Sequence, residues 1–200
     1  MEIKKTNINA YILAGGKSSR MGNDKGLMMM HGKAMVSFVI EQLEDAVANI
    51  VIVSNNPEYA GFGYEVIPDL IMDIGPAGGI YSALHHTNTK KIFIVSCDMP
   101  YIEKNAIALM LKNNSKEQII LPEFKGELEP LFGLYAKDCL LVWSELIRKD
   151  IIKLKNMVVH FKVKRVLFDE KDLAFNDRLF LNINTKSDFD HALNLQRDEN

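Results

Sequence analysis

Ala10-Tyr-Ile-Leu-Ala-Gly-Gly-Lys-Ser-Ser-Arg-Met-Gly-Asn-Asp-Lys25 is the stretch on which the fold turns. The apolar run from Ile8 to Leu13 predicts a buried strand. It breaks abruptly into Gly15-Gly16, two hydroxyls, Arg20, a further glycine and Lys25. Paired glycines let the backbone approach a ligand closely and take positive φ at little steric cost. Successive N–H groups in such a turn form an anion-binding concavity. Arg20 and Lys25 add full positive charges, and a guanidinium can grip a phosphate through two parallel hydrogen bonds. A strand opening into this turn reads as the cradle of a nucleoside triphosphate.

Two better-known phosphate loops are excluded by spacing. Gly16-Lys17-Ser18 ends like a Walker A loop, but that pattern needs a glycine where Tyr11 stands. The dinucleotide fingerprint would need glycines at Lys17 and Arg20.

Working outward, strand and helix alternate. Ala34 to Val47 carries apolar residues at three- and four-residue spacing, with Glu41, Gln42, Glu44 and Asp45 opposite, and predicts an amphipathic helix. Before it, Leu27-Met-Met-Met30 reads as pliable core, ended by a solvated turn at His31-Gly32-Lys33. Ile50 to Val53, Tyr64 to Ile67 and Lys91 to Val95 predict strands; helices are expected after Gly75-Pro-Ala-Gly-Gly79 and from Glu103 to Leu111. Such alternation implies βαβ units, right-handed crossovers and a mainly parallel sheet. In open sheets of this kind ligands bind beyond the carboxyl ends of the strands. Leu13, Val53, Ile67 and Val95 should therefore deliver the glycine loop, Asn55/Asn56, Asp69 and Asp98 to one edge. The second half is less regular. Strands are expected at Ile119–Leu121 and Leu131–Tyr135, with a polar loop from Pro122 to Pro130 between them. A helix is expected over Lys137–Lys149 and edge strands over Met157–Phe161 and Val163–Phe168. Phe180 to Thr185 closes the pattern before a helix from Ser187 to Leu195, with Thr185 as its cap and Asp188 in its first turn.

A chain of 200 residues with 48% hydrophobic and 25% charged content is enough for one compact domain with a real core. A net charge of −2 gives no global basic field for nucleic acid or membrane partners. The two cysteines, Cys97 and Cys139, make neither a disulfide framework nor a metal spacing. The amino terminus lacks the apolar core of a signal peptide, and no apolar run approaches membrane-spanning length, so a soluble cytoplasmic protein is expected.

The pattern L-A-G-G-x-S-x-R-M-G-x-D-K, from Leu13 to Lys25, resembles the signature of nucleotidyltransferases that activate sugars and cofactors. Its double glycine resembles the molybdenum cofactor guanylyltransferases, where cytidylyltransferases typically show Ala-Gly. Cys97-Asp-Met-Pro100 resembles that family's metal-binding segment, Gly75-Pro-Ala-Gly-Gly-Ile80 its G-P-x-x-G-I, and Asn182-Ile-Asn-Thr185 its N-x-N-T. One departure is Ala34, where the family usually has proline; it touches turn rigidity only. The resemblance is dense before residue 101 and thins between Pro122 and Arg178.

The resemblance implies a single α/β domain over 1–200, three-layered and Rossmann-like, with a mostly parallel sheet and helices on both faces, as in nucleotide-diphospho-sugar transferases. Residues 1–112 would form the nucleotide-binding half and 113–200 the acceptor-binding half. It implies transfer of GMP from GTP to molybdenum-molybdopterin with release of pyrophosphate, using Mg²⁺ or alternatively Mn²⁺. Catalytic roles fall to Arg20, Lys25 and Asp98. Nucleotide contacts fall to Leu13, Ala14, Gly15, Gly16, Lys25, Asn55, Asp69 and Asp98, and metal ligation to Asp98. A carboxylate at a strand end suits Mg²⁺ together with waters and substrate phosphates; the alternative for Asp98 is a cap on the helix after Pro100. Asn55 and Asn56 remain interchangeable at this level, Asp73 competes with Asp69, and Asn184 serves either the metal, the acceptor or the turn. A monomer is expected, with transient partners in cofactor delivery left open. Rival readings are a related cytidylyltransferase or sugar-phosphate nucleotidyltransferase, and a GTP-binding protein without turnover.

Overall fold

The computed structural model describes residues 6–15, 24–168 and 178–195. β1 (Asn9–Leu13) is buried from Ala10 onward. A 3-10 turn (Lys25–Leu27) follows, then a small hairpin of β2 (Met29–Met30) and β3 (Lys33–Ala34). Its turn residues His31 and Gly32 have φ of 49° and 80°, as a type I′ turn requires. α1 (Met35–Leu43) ends before Val47, because the chain beyond it pairs with the entry to β1: Thr6 N–H donates to Ala46 O and Ala48 N–H to Ile8 O. β4 (Ile50–Val53), a second 3-10 segment (Pro57–Phe62), β5 (Glu65–Ile67), α2 (Pro76–His86), β6 (Lys91–Ser96) and α3 (Lys104–Lys112) complete the first half. Here β6, β1, β4 and β5 lie side by side, all parallel. The chain builds outward from β1 through β4 to β5, then returns to place β6 on the other side of β1. That reversal creates a crevice between β1 and β6, the switch point where doubly wound sheets bind ligands.

The second half consists of β7 (Ile119–Phe124), β8 (Glu127–Leu128), β9 (Phe132–Ala136), α4 (Cys139–Arg148), α5 (Leu154–Val158), β10 (Val163–Phe168) and α6 (Lys186–Leu195). The eight-stranded sheet runs β10-β7-β9-β6-β1-β4-β5, with β8 paired to β7. It is mostly parallel as expected; β9 runs against β6 and β7, and β8 against β7.

Two expectations are corrected. Residues 122–130 are not a polar loop: β7 continues through Pro122, and Lys125-Gly126 (φ 52° and 79°) turn it into β8. Met157 to Phe161 is not an edge strand. Packing decides that segment: α5 sets Met157 and Val158 into the core around Trp143, whose ring lies 5.7 Å from that of Phe161. In the segment leading into α6, Ile183 N–H donates to the Asp98 carbonyl.

Alternation along β1 divides the core in two. Ala10 and Ile12 pack beneath α1 and α3, while Tyr11 and Leu13 pack beneath α2, α4 and α5. Helices therefore cover both faces. Trp143 anchors the second layer, its indole N–H donating to Ala77 O at 3.0 Å. A third cluster joins Met30 and Met35 to Ile183, Phe189 and Ala192, docking α6 onto the hairpin beside Lys25. Thr185 caps α6 as expected: its Oγ1 accepts from Asp188 N–H, and the Asp188 carboxylate accepts from Thr185 N–H, a reciprocal capping box. Among the described residues, no helix is long and apolar enough to cross a membrane.

Candidate active site

The parallel register brings the strand ends level. Leu13 is paired with Val53 and Ser96, and Val53 with Ile67. Ala14, Gly15, Asp24, Asn55, Asn56, Asp69 and Asp73 consequently line one cleft of about 540 Å³. Gly15 lies so near Asp69 that a Cβ there would sit 3.3 Å from Oδ2. Asp69 Oδ1 is buried and has no hydrogen-bond partner among the described residues, and burial pushes this carboxyl above its ordinary range. The structure thus distinguishes Asp69 from Asp73, which also lines the cleft but on a strained loop (φ 67°) leading to Gly75. Gly75 opens α2 with φ 64° and ψ −147°, a conformation essentially reserved for glycine.

The two asparagines part company. Asn56 is committed locally: its Oδ1 accepts from Glu58 N–H, and its Nδ2 donates to Asp24 Oδ2 at 3.2 Å. Asn55 is exposed at the cleft, and its Oδ1 accepts from Asp69 N–H at 3.1 Å. Leu13 lies beneath the cleft; its carbonyl accepts from Cys97 N–H and its side chain packs on the Gly79 backbone. Gly16 and Arg20 lie outside the described residues.

Lys25 and Asp98 meet across the β1–β6 crevice, Nζ to Oδ2 at 3.6 Å, with exposures of only 22% and 13%. The Lys25 ammonium also donates to Asn184 Oδ1 at 2.7 Å. Asp98 Oδ1 accepts from Ser96 Oγ at 2.6 Å, which orients the carboxylate. A helix-cap role for Asp98 is ruled out, since α3 starts after Glu103. Among the described residues, no three His, Cys, Asp or Glu side chains gather as a metal cage. A lone half-buried carboxylate, with one oxygen oriented by a hydroxyl and the other facing a cation, fits Mg²⁺, which keeps its waters and takes substrate phosphate oxygens.

Asp24 and Tyr59 carry no role in the sequence reading, yet the structure puts both at this site. Asp24 Oδ1 accepts from the Tyr59 hydroxyl at 2.5 Å and from Gly26 N–H at 3.2 Å. Asp24 had one signal, its place directly before Lys25 in the motif. Tyr59, in an aperiodic turn, had none.

A family model described as the MobA-like NTP transferase domain matches residues 10–159. The chain belongs to the MobA-like NTP transferase family. Relatives named probable molybdenum cofactor guanylyltransferase include that of Natranaerobius thermophilus, 35% identical over 93% of this chain and 95% of the relative. One from Clostridium perfringens is likewise 35% identical, over 92% and 96%. The crystal structure of molybdopterin-guanine dinucleotide biosynthesis protein A from Archaeoglobus fulgidus shares the fold. Its TM-score is 0.78 at 23% identity, covering 96% of this chain and 100% of that one. The MobA-like match spans β1 to α5 and so takes in Lys25, Asp69 and Asp98; Asn184, from beyond it, is folded back onto Lys25.

Proposed function

We propose that the chain transfers GMP from GTP to molybdenum-bearing molybdopterin in the cytoplasm, forming the guanine dinucleotide cofactor and releasing pyrophosphate. The observation that carries this reading is the meeting of Lys25 with Asp98 at the β1–β6 switch point, beside the cleft floored by Gly15 and Asp69. The names of the relatives supply the guanylyl group and its acceptor.

The terminal phosphate of the acceptor is ionised near neutral pH, so its oxygen attacks the α-phosphorus without a general base. The bond from that phosphorus to the bridging oxygen breaks, and pyrophosphate carries away the electron pair. Positioning and charge neutralisation dominate such chemistry. Asn55 and Asp69 hold the nucleoside, the unpartnered Asp69 oxygen accepting a hydrogen bond from it. Gly15 and Gly16 let the phosphates approach the backbone, and Lys25 and Arg20 meet the growing negative charge. Asp98 would hold Mg²⁺, or Mn²⁺ in its place, which when bound supplies positive charge to the phosphate oxygens. Lys25 then exchanges Asn184 and Asp98 for phosphate oxygens. Neither nucleic acid nor membrane takes part.

Pyrophosphate release with GTP, Mg²⁺ and molybdopterin tests the reading. GTP binding without release would reduce the protein to a binding module, and faster release with CTP would move it to the cytidylyltransferases.

A further inference from the structure

We propose that Asp24 is a positioning residue which, gripped by Tyr59 and Asn56, sets the Lys25–Leu27 turn so that the Lys25 ammonium faces the triphosphate. The inference rests on the nucleotide reading above and concerns residues which that reading leaves without a role.

Three donors converge on one carboxylate: the Tyr59 hydroxyl and Gly26 N–H on Oδ1, and Asn56 Nδ2 on Oδ2. Tyr59 is fully buried, and burial raises its phenol far above the ordinary range, so it remains a donor at any working pH. A carboxylate lining a triphosphate cleft would repel the ligand if it stood bare. With both oxygens engaged, Asp24 faces inward to its donors, which argues for an architectural role over a contact with phosphate. The turn is held from the other side as well. A Cβ at Gly26 would fall 2.2 Å from the Tyr59 hydroxyl and 3.1 Å from Cys97 Sγ, so only glycine lets the turn seat on Tyr59. Lys25, between these two anchors, ends 2.7 Å from Asn184 Oδ1 and 3.6 Å from Asp98 Oδ2. The 3-10 segment after β4 thereby sets the geometry of a lysine belonging to the β1 loop.

The test measures GTP and guanosine affinities of the full chain with Mg²⁺ by calorimetry, for Asp24→Asn, Tyr59→Phe, Lys25→Ala and the Asp24→Asn/Lys25→Ala pair. Asp24→Asn and Tyr59→Phe should each weaken GTP binding roughly tenfold while changing guanosine binding by about twofold or less, as loss of one charge-assisted contact predicts. In the Lys25→Ala background, Asp24→Asn should add no further loss, because both act through the same ammonium. Independent, multiplying losses would overturn the proposal, as would guanosine affinity falling in step with GTP. Should Asp24→Asn fail to fold, Tyr59→Phe reads the same linkage by deleting a single oxygen. If Lys25→Ala weakens GTP binding but neither Asp24→Asn nor Tyr59→Phe does, only this proposal falls. If Lys25→Ala leaves GTP binding intact, the phosphate role of Lys25 falls with it.

Discussion

The two ends of the central sheet are chemical opposites. At the amino end polar groups complete one another. The Tyr11 hydroxyl lies 2.9 Å from His86 Nδ1, and His86 Nε2 lies 3.3 Å from Glu65. Lys91 Nζ donates to Ser115 O and Glu117 O at 2.6 and 2.8 Å, and Asn49 donates to Asn9. At the carboxyl end Asp69 Oδ1 is buried without a partner among the described residues, Asp73 and Gly75 hold positive φ, and Met72 is 68% exposed at the cleft. One set of strands therefore ends in a closed scaffold on one side and in unmet hydrogen-bonding capacity on the other. Unmet capacity beside strained backbone is where a ligand supplies the missing partners.

The contrast is tested most severely at Asp98. Asp98→Asn should reduce pyrophosphate release by at least roughly a hundredfold, the scale of losing one preorganised electrostatic contact. Its thermal melting should match the parent, because among the described residues only Ser96 and Lys25 engage the carboxylate. A lowered melting temperature with unchanged turnover would make Asp98 scaffold and erase the distinction between the ends. Next in size is Gly26→Ala, the position at the carboxyl end where packing and function coincide. Its methyl would displace the buried Tyr59 hydroxyl, costing about 1–3 kcal/mol as overpacked cores do. Melting temperature and GTP affinity should fall together; a fall in stability alone would detach Tyr59 from the site.

Legibility in the sequence follows the same division. β4 and β6 are parallel strands buried on both faces, so each reads as an unbroken apolar run, and the first polar residues after it mark the cleft. Asp98 after β6 and the Asn55/Asn56 pair after β4 are read that way, whereas Lys25 comes from the glycine-loop motif and the choices between Asn55 and Asn56 and between Asp69 and Asp73 stay open until the chain is folded. Features decided by contact in three dimensions leave no such trace. The clash reserved for Gly26 depends on Tyr59, from a proline- and glycine-punctuated 3-10 segment with no periodicity. The β7–β8 hairpin has a two-residue return strand, too short for alternation to show, and Lys125 at positive φ disguises its turn. In α5, Val158 and its neighbour Val159 suggest a strand, but burial of Met157, Val158 and Phe161 around Trp143 imposes a helix.

A scaffold position should show the reverse of Asp98. Tyr11→Phe removes the hydroxyl of a buried ring, opposite Nδ1 of the exposed His86. Losing that hydrogen bond should cost about 0.5–1.5 kcal/mol, lowering the melting temperature by roughly 1–6 °C for a chain of this length. Pyrophosphate release at a temperature well below melting should stay at the parent rate. A selective loss of turnover would show that the amino end reaches the reaction after all.

The smallest effect carries the opposite sign. Burial raises the Asp69 carboxyl above its unfolded value, so between the two values the folded state binds more protons. Stability therefore falls as pH rises through that window. Asp69→Asn keeps the shape and removes the buried charge, but its own side-chain oxygen still lacks a partner. The gain should be under about 1 kcal/mol, a rise of no more than roughly 2–4 °C at pH 7. Because the parent carboxyl becomes neutral in acid, the difference should shrink as pH is lowered through the carboxylate range and vanish below it. GTP affinity should drop in the same variant, since the amide offers one acceptor oxygen where the carboxylate offers two. A variant that is less stable than its parent at pH 7 would mean that Asp69 is already satisfied without ligand. The carboxyl end would then be as closed as the amino end.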